Sequence, residues 1–247
     1  MKANITTSIQ EIKKLKDFPR IDPHVHTHYS DGCQSVKELV KRAKKRGLSV
    51  ITKADHNTLR GNTELEEICK EERLTYIPGI EKSTEKGHLV ILNIDSIKLL
   101  KGLNFIELLE KINEENGIGI LAHPWWRDSI REEVFNYSEL HGYEGLNGSS
   151  PYGSRHFLKN IQPPKKMEQY NKHSLVSWVG SDSHAGHLYG KYFNLVVTTE
   201  DSQDGILEAM RKGRILGYGP PLPLLDFLID GAINQPVQLR NEMFYRK

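Results

Sequence analysis

The stretch Ile21–Gly32 reads IDPHVHTHYSDG and places three histidines and two aspartates within twelve residues. Side chains at alternate positions of a β-strand point to the same side of the sheet. His24 and His26 therefore face the same way if this stretch is a strand. Two neighbouring imidazoles at a strand end suit a divalent transition metal. Taken alone, the pattern fits equally well a surface strand that happens to carry histidine.

The size and composition of the chain are those of an ordinary globular protein. It has 247 residues, of which 37% are hydrophobic, and this suits one large domain. We expect residues 1–20 to form a lead-in. Residues 21–247 are expected to form a single domain with a C-terminal extension from about residue 214.

Charge and cysteine usage exclude several functional classes. The 34 basic and 32 acidic residues nearly balance, which does not indicate a protein that coats nucleic acid. Two cysteines without a C-x-x-C pattern, Cys33 and Cys69, favour a reducing compartment and argue against a cysteine-based metal cluster. The N-terminus has no secretory signal, and the longest apolar run, around 89–94, is too short to span a bilayer. We therefore expect a soluble, cytoplasmic protein without a membrane partner.

Helical and extended patterns alternate along the chain. The segment 35–46 has apolar residues at helical spacing, a capping box formed by Ser35 and Glu38, and a terminating Gly47. Strand and helix patterns alternate about seven times, which is typical of parallel β/α architecture, either an open sheet or a closed barrel.

Short apolar runs are repeatedly followed by a residue that can bind a metal. Such residues are His56, Glu81, His123, Asn147, Asp182 and His184. The carboxyl ends of parallel strands meet at one rim, so these side chains should converge with those of the opening stretch. Mixed imidazole and carboxylate donors fit Zn²⁺, Mn²⁺ or Fe²⁺ better than Ca²⁺. One zinc takes about four ligands, so this set predicts at least two metals with a carboxylate such as Glu81 able to bridge.

Five motifs in this order resemble those of the PHP family, whose name abbreviates polymerase and histidinol phosphatase. They are DPHVHTHYSDG from Asp22, ADHN from Ala54, PGIE from Pro78, AHP from Ala122 and GSDSH from Gly180. The resemblance extends from Ile21 to about Gly190, and RKGRI from Arg211 is similar to the C-terminal segment of the family. It implies an α/β fold, a distorted seven-stranded β/α (TIM-like) barrel of PHP type. It also implies a centre of two or three divalent metals (Mn, Zn or Fe) and the hydrolysis of phosphoesters.

The same resemblance implies a distribution of ligands. One metal would be held by His24, His26, Glu81 and Asp182. A second would be held by Asp31, His56 and His184, with Glu81 as the bridge. His123 would serve a third metal together with His88, which is the one histidine between the bridging glutamate and AHP. His88 is equally consistent with an ordinary core or surface residue.

The implied reaction is in-line attack on phosphorus by a hydroxide that bridges two metals. Asp182 and His184 are the candidate catalytic residues at the centre, and His28 is a candidate general acid, although a surface role suits it as well. Three cations that follow predicted strands are candidates for binding the substrate phosphate, or are ordinary surface charges. They are Lys53, Arg127 and Arg155.

Other functions remain open. The expected substrate is a small phosphorylated metabolite, with a nucleotide as one possibility, and no stable nucleic-acid complex is expected. An exonuclease acting on short oligonucleotides is one alternative. An amidohydrolase is another, because H-x-H on the first barrel strand also opens that superfamily. A non-catalytic scaffold or nucleic-acid-binding module would be expected to have lost ligands. All eight motif positions carry competent ones, namely His24, His26, Asp31, His56, Glu81, His123, Asp182 and His184. The sequence does not specify the oligomeric state.

Overall fold

The structure, a computed structural model, describes residues 5–6, 8–124, 136–149 and 175–220. Within these ranges the chain forms five α-helices and eleven β-strands. The helices are α1 (Ile9–Lys14), α2 (Val36–Arg46), α3 (Asn62–Glu71), α4 (Phe105–Glu114) and α5 (Gln203–Arg211). The strands are β1 (Ile5–Thr6), β2 (Arg20–Ile21), β3 (Val50–Ile51), β4 (Thr75–Tyr76), β5 (Gly79–Thr84), β6 (Gly87–Leu92), β7 (Ile118–Leu121), β8 (Gly142–Asn147), β9 (Val176–Gly180), β10 (Phe193–Val196) and β11 (Ile215–Tyr218).

Helix α2 follows its sequence signals closely. The Ser35 side chain accepts a hydrogen bond from the Glu38 amide, and the Glu38 side chain accepts one from the Ser35 amide, which completes the predicted capping box. The helix ends at Gly47 in the left-handed conformation (φ 74°). Its apolar stripe, including Leu39 and Ala43, is buried against the sheet that contains β2 and β3. The prediction for 35–46 is confirmed.

The strands form two mixed sheets. One has the order β1-β11-β10-β2-β3-β4 and the other has the order β5-β6-β7-β8-β9. The strands β2, β3 and β4 are parallel, as are β7, β8 and β9, whereas β6 is antiparallel to both its neighbours and β10 is antiparallel to β2 and β11. The α/β class is confirmed, but uniformly parallel pairing is wrong. Only Glu85 and Lys86 separate β5 from β6, and a parallel pair needs a crossover of about a dozen residues.

Both sheets contribute to one apolar core. It contains Ile21 and Val50 from the six-stranded sheet and Val90, Ile120 and Trp178 from the five-stranded sheet. This shared core fixes the position of one sheet relative to the other. Because the described strands fall into two sheets, the closed seven-stranded barrel stays a prediction.

Two isolated parallel bridges join the two sheets. Val25 pairs with Ser183, and His56 pairs with Glu81. Strand β2 covers only Arg20–Ile21 and does not continue through the stretch Ile21–Gly32, because Pro23 lacks the N–H that a continuous ladder requires. The chain after β2 instead contacts the segment after β9, so the loops that carry the candidate ligands face one another.

The two ends of the described chain also meet. Strand β1, in the predicted lead-in, pairs in parallel with β11 through Ile5–Gly217 and Thr6–Tyr218. Residues 5–6 are therefore part of the six-stranded sheet. None of the described helices is long and apolar enough to cross a membrane.

Candidate metal centre

The candidate ligands come from both sheets and converge where the strands end. His24, His26 and Asp31 follow β2, His56 follows β3, Glu81 lies in β5, His88 lies in β6, His123 follows β7, and Asp182 and His184 follow β9. Four groups of these side chains each have potential ligand atoms within 4.8 Å of one another. The groups are His26/Asp31/His56/His184, His24/His26/Glu81, His24/His123/Asp182 and His56/Glu81/His88. Together they contain all nine residues that were predicted to bind metal.

Glu81 lies at the middle of this arrangement and is completely buried. Its Oε2 is 3.3 Å from His24 Nε2 and 3.0 Å from His56 Nδ1. Its Oε1 is 3.0 Å from both His88 Nδ1 and His123 Nε2. Oε2 is also 3.4 Å from His26 Nε2, so one oxygen faces three imidazoles and the other faces two different ones, which is the position that a bridging ligand requires.

Asp182 and Asp31 lie on either side of His26. Asp182 Oδ1 is 3.1 Å from His26 Nε2 and 3.4 Å from His24 Nε2. Asp31 Oδ1 is 3.4 Å from His26 Nδ1, and Asp31 Oδ2 is 3.1 Å from His184 Nε2. His26 therefore has a carboxylate beside each ring nitrogen, and it belongs to two of the four groups.

The donor atoms of the centre fit metal ions better than they fit one another. His24 Nε2 and His26 Nε2 are 3.1 Å apart, so two lone pairs face each other unless one ring carries a proton there. Within the described residues, the buried atoms His26 Nδ1 and Glu81 Oε2 lie close to ionisable neighbours, but none of those neighbours is aligned for a hydrogen bond. Buried polar atoms are normally satisfied, and mixed nitrogen and oxygen donors suit transition metals. The groups fit a multi-metal site.

A model of the PHP domain family matches residues 22–214, which include every residue of the four groups. The chain belongs to the PHP domain family.

Three known proteins illustrate how this PHP domain relates to others. It is 33% identical over 141 residues to MJ1587, an uncharacterized protein of Methanocaldococcus jannaschii, covering 52% of this chain and 81% of that protein. It is 41% identical over 80 residues to a 5'-3' exoribonuclease of Haemophilus influenzae, which covers 31% of this chain and only 29% of the exoribonuclease. The crystal structure of a two-domain protein from Bacteroides vulgatus, containing a predicted PHP-like metal-dependent phosphoesterase, superposes with a TM-score of 0.64 and 19% identity. That superposition covers 84% of this chain and 67% of the other, and at this identity the likeness concerns the fold.

The electrostatics of the PHP domain favour positive charge at the centre. Burial alone would raise the pKa of Glu81, but the neighbouring His56 and His24 hold that pKa well below its ordinary value. Burial alone would lower the pKa of His56, but Glu81 and Asp31 raise it to about 9. His184 behaves in the same way, because the hydrogen bond to Asp31 raises its pKa to about 9 against the effect of burial. The carboxylates therefore attract cations, either protons or metal ions.

The backbone is left-handed at two of the ligand positions. His123 has φ 27° and Asp182 has φ 51°. Such conformations are costly for residues other than glycine, and they persist where the surrounding structure fixes them, commonly at functional sites.

The structure places the other predicted site residues elsewhere. Lys53 is completely buried and its Nζ lies 2.8 Å from Asp55 Oδ2, so the expectation that it reaches the rim to contact substrate is wrong. The ion pair with the buried carboxylate of Asp55, two residues along the chain, holds the Lys53 side chain inside the protein. Exposed His28 has its Nδ1 3.3 Å from the Gln34 carbonyl and belongs to none of the four groups formed by the described residues. Arg127 and Arg155 lie outside the described residues.

Sequence reasoning missed one buried carboxylate beside the centre. Glu144 lies in β8 with 1% of its surface exposed, and its Oε1 is 2.8 Å from His24 Nδ1. The signal was an acidic residue within a short apolar strand, where charged side chains are rare unless they are paired.

Proposed function

We propose that this PHP domain is a metal-dependent hydrolase of phosphoesters, acting on small phosphorylated metabolites or nucleotides. The observation that carries the proposal is the position of Glu81, whose two oxygens each lie among imidazoles from different strand ends. Family membership supports the same reading. Sites with two or more metals and mixed histidine and carboxylate ligands are common among enzymes that hydrolyse phosphoesters.

The metal ligands are part of this proposal. His24, His26, Glu81 and Asp182 would hold one ion. Asp31, His56 and His184 would hold a second, and His123 with His88 would serve a third. Bound Mn²⁺, Zn²⁺ or Fe²⁺ would supply Lewis acidity. The ion would also lower the pKa of a bound water molecule, so that hydroxide is available at neutral pH.

Contacts of His184 orient its ring. The Nδ1 atom is 2.9 Å from the Asp182 carbonyl oxygen, which can only accept, so Nδ1 carries the hydrogen. The Nε2 atom faces the carboxylate oxygen Asp31 Oδ2, 3.1 Å away, and carries a proton there when no metal is bound. A metal ion would take the place of that proton and leave Nε2 as the ligand nitrogen. His184 thus presents a ligand nitrogen in a fixed orientation, which suits a role in holding Asp31 and the reacting phosphate at the centre.

The finer form of the fold belongs to the proposal as well. We infer that the two sheets are parts of one PHP-type barrel. The core shared by the sheets and the bridges Val25–Ser183 and His56–Glu81 support closure on the side of the metal centre.

The decisive experiment measures phosphate release after metal removal. The protein is stripped with a chelator, dialysed and resupplied with Mn²⁺, Fe²⁺ or Zn²⁺, then assayed on p-nitrophenyl phosphate, a mononucleotide and a nucleotide bisphosphate. We expect activity to vanish on stripping and to return with at least one of the ions. Glu81→Gln should lower it by at least about 100-fold, because the bridging charge is lost. The matched control is Glu110→Gln, which alters an exposed carboxylate on α4 and should leave the rate unchanged. Hydrolysis that survives chelation, or full activity in Glu81→Gln, would refute the proposal.

Exonuclease activity on short oligonucleotides is a second candidate. The 41% identity over 80 residues with a 5'-3' exoribonuclease favours it. Adding a 5'-phosphorylated trinucleotide to the panel separates the candidates. Release of mononucleotides at a rate well above that of the small phosphoesters would favour the exonuclease.

The amidohydrolase alternative is tested with a cyclic amide in the same panel. Lysine ligands occur at many amidohydrolase centres, but Lys53 is engaged with Asp55 inside this protein. Phosphate release without cleavage of the amide would exclude this alternative.

A further inference from the structure

We propose that Glu144 is a positioning residue of the metal centre, which holds three of the proposed ligands in place without binding a metal itself. The inference rests on the metal centre of the proposed function but not on the identity of the substrate. Glu144 is a buried carboxylate in β8, and its two oxygens are engaged on different sides.

The first oxygen fixes the tautomer of His24. Glu144 Oε1 lies 2.8 Å from His24 Nδ1, and a carboxylate can only accept, so Nδ1 carries the hydrogen. In the neutral ring, which is the form that binds a metal, His24 Nε2 then carries the lone pair on the opposite edge. That edge faces Glu81 Oε2 at 3.3 Å and Asp182 Oδ1 at 3.4 Å. A carboxylate behind a metal-binding histidine sets the orientation of the ring and increases its basicity.

The second oxygen holds the chain at His123. Glu144 Oε2 accepts hydrogen bonds from the His123 amide at 2.7 Å and from Asn147 Nδ2 at 2.9 Å. The first of these bonds is made by a residue with φ 27°, a conformation that needs external support. Glu144 thereby fixes the point at which β7 delivers His123 to the centre.

Asn147 extends the same contact to Asp182. Its Nδ2 atom donates to Asp182 Oδ2 at 3.2 Å as well as to Glu144. The other oxygen of Asp182, Oδ1, lies beside the imidazoles of His24 and His26. One carboxylate therefore orients ligands that follow β2, β7 and β9.

Gly180 provides the space that this contact needs. A Cβ atom at Gly180 would lie 2.0 Å from Glu144 Oε1 and 2.8 Å from the Cβ atom of His24. Both distances are shorter than real side chains tolerate. Any larger residue at this position would push Glu144 and His24 apart, so the absence of a side chain is a condition of the hydrogen bond.

The test is Glu144→Gln, which keeps the shape of the side chain. An amide offers one oxygen and one NH₂ group, so either His24 Nδ1–H or the pair of donors at His123 and Asn147 must face another donor. We expect Zn²⁺ and Co²⁺ affinity, measured by competition with a chromophoric chelator, to fall about 10–100-fold. The matched control Glu110→Gln should bind both ions like the wild type.

A second readout reports directly on His24. Long-range ¹H–¹⁵N spectra of the zinc-loaded protein should show the Nδ1–H tautomer for His24 in the wild type and a changed pattern in Glu144→Gln. A residue with only a structural role would leave this pattern unaltered. Gly180→Ala should change it in the same direction, and this variant provides the test if Glu144→Gln folds poorly.

A double-mutant cycle shows whether Glu144 acts through its neighbours. Glu144→Gln should cost clearly less metal affinity in the His24→Ala background than in the wild type, because its contact with His24 is already absent. Full additivity, or wild-type affinity and an unchanged tautomer in Glu144→Gln, would overturn the inference. A wild type that binds metal but hydrolyses no phosphoester would overturn only the proposed function.

Discussion

The carboxylate of Asp55 accepts hydrogen bonds from both the amide and the hydroxyl of Thr27, at 2.7 and 2.6 Å. It also accepts one from Ser30 Oγ at 2.7 Å, and it lies 2.8 Å from the buried Lys53 Nζ. The segment that ends at Asp31 is therefore anchored to a buried ion pair. This explains how a loop between β2 and α2 can present a ligand in a defined position.

Asp55→Ala should destabilise the protein strongly. Lys53 would become an uncompensated buried charge, and breaking a buried pair in this way typically costs about 3–5 kcal/mol. The measurement is the free energy of unfolding in urea. Lys53→Met should cost less, because Asp55 keeps its bonds from Thr27 and Ser30. An equal or larger loss for Lys53→Met would contradict this account.

The stability of the protein should depend on the protonation of His141. Burial, reinforced by nearby Arg211, lowers the pKa of His141 to about 4, and its Nδ1 accepts a hydrogen bond from the Gly119 amide at 3.3 Å. The folded state therefore keeps the ring neutral, whereas the unfolded chain binds a proton near pH 6.5. Stability due to this group is fully present above about pH 6.5 and is lost as the pH falls towards 4.

Comparison with His141→Gln isolates that contribution. Urea unfolding at pH 7, 6 and 5 should give a steeper loss of stability for the wild type, by at most about 1.4 kcal/mol per pH unit. Parallel curves for the two proteins would show that His141 is protonated equally in both states.

Asn104 should stabilise helix α4. Its side chain accepts hydrogen bonds from the amides of Ile106 and Glu107, and the Glu107 side chain accepts one from the Asn104 amide. Asn104→Ala should cost about 1 kcal/mol in thermal or urea unfolding, while Asn104→Ser, which can also cap, should retain most of the stability. Neither variant should alter metal affinity, and an Ala variant as stable as the wild type would contradict the prediction.

The two cysteines should differ sharply in reactivity. Cys33 is exposed, whereas Cys69 is completely buried and burial raises the pKa of its thiol to about 12. Since the thiolate is the reactive form, native protein should react with about one equivalent of a thiol reagent, and denatured protein with about two. Cys33→Ser should abolish the native reaction. Labelling of Cys69 in that variant would show that the core around α3 opens.

Features encoded by neighbouring residues were predictable from sequence. The capping boxes at Ser35 and Asn104 and the stop at Gly47 depend only on contacts within one turn of helix, and the structure contains all three. The metal-capable residues were found because each follows a short apolar run, and the family motifs ordered them. Their convergence depends on strand ends meeting, which the alternation of elements already indicates.

Features that depend on long-range pairing were not predictable in this way. The antiparallel insertion of β10 between β2 and β11 joins residues far apart in the chain. The inward position of Lys53 depends on Asp55, whose own burial is set by Thr27 and Ser30. Glu144 was missed because its significance arises from His24 and His123, which lie over 20 residues away along the chain.

The bridges Val25–Ser183 and His56–Glu81 lie at the boundary between the two sheets. Four candidate ligands, His24, His26, Asp31 and His56, are carried on one side of it. The other five come from the five-stranded side. During synthesis on the ribosome, His56, the last of these four ligands in the chain, is made well before Asp182 and His184. The groups His26/Asp31/His56/His184 and His24/His123/Asp182 can therefore form only after Asp182 and His184 have been made, whereas the donors of His24/His26/Glu81 and His56/Glu81/His88 have all been made by residue 88. The centre is completed late in synthesis, well after its first donors have been made.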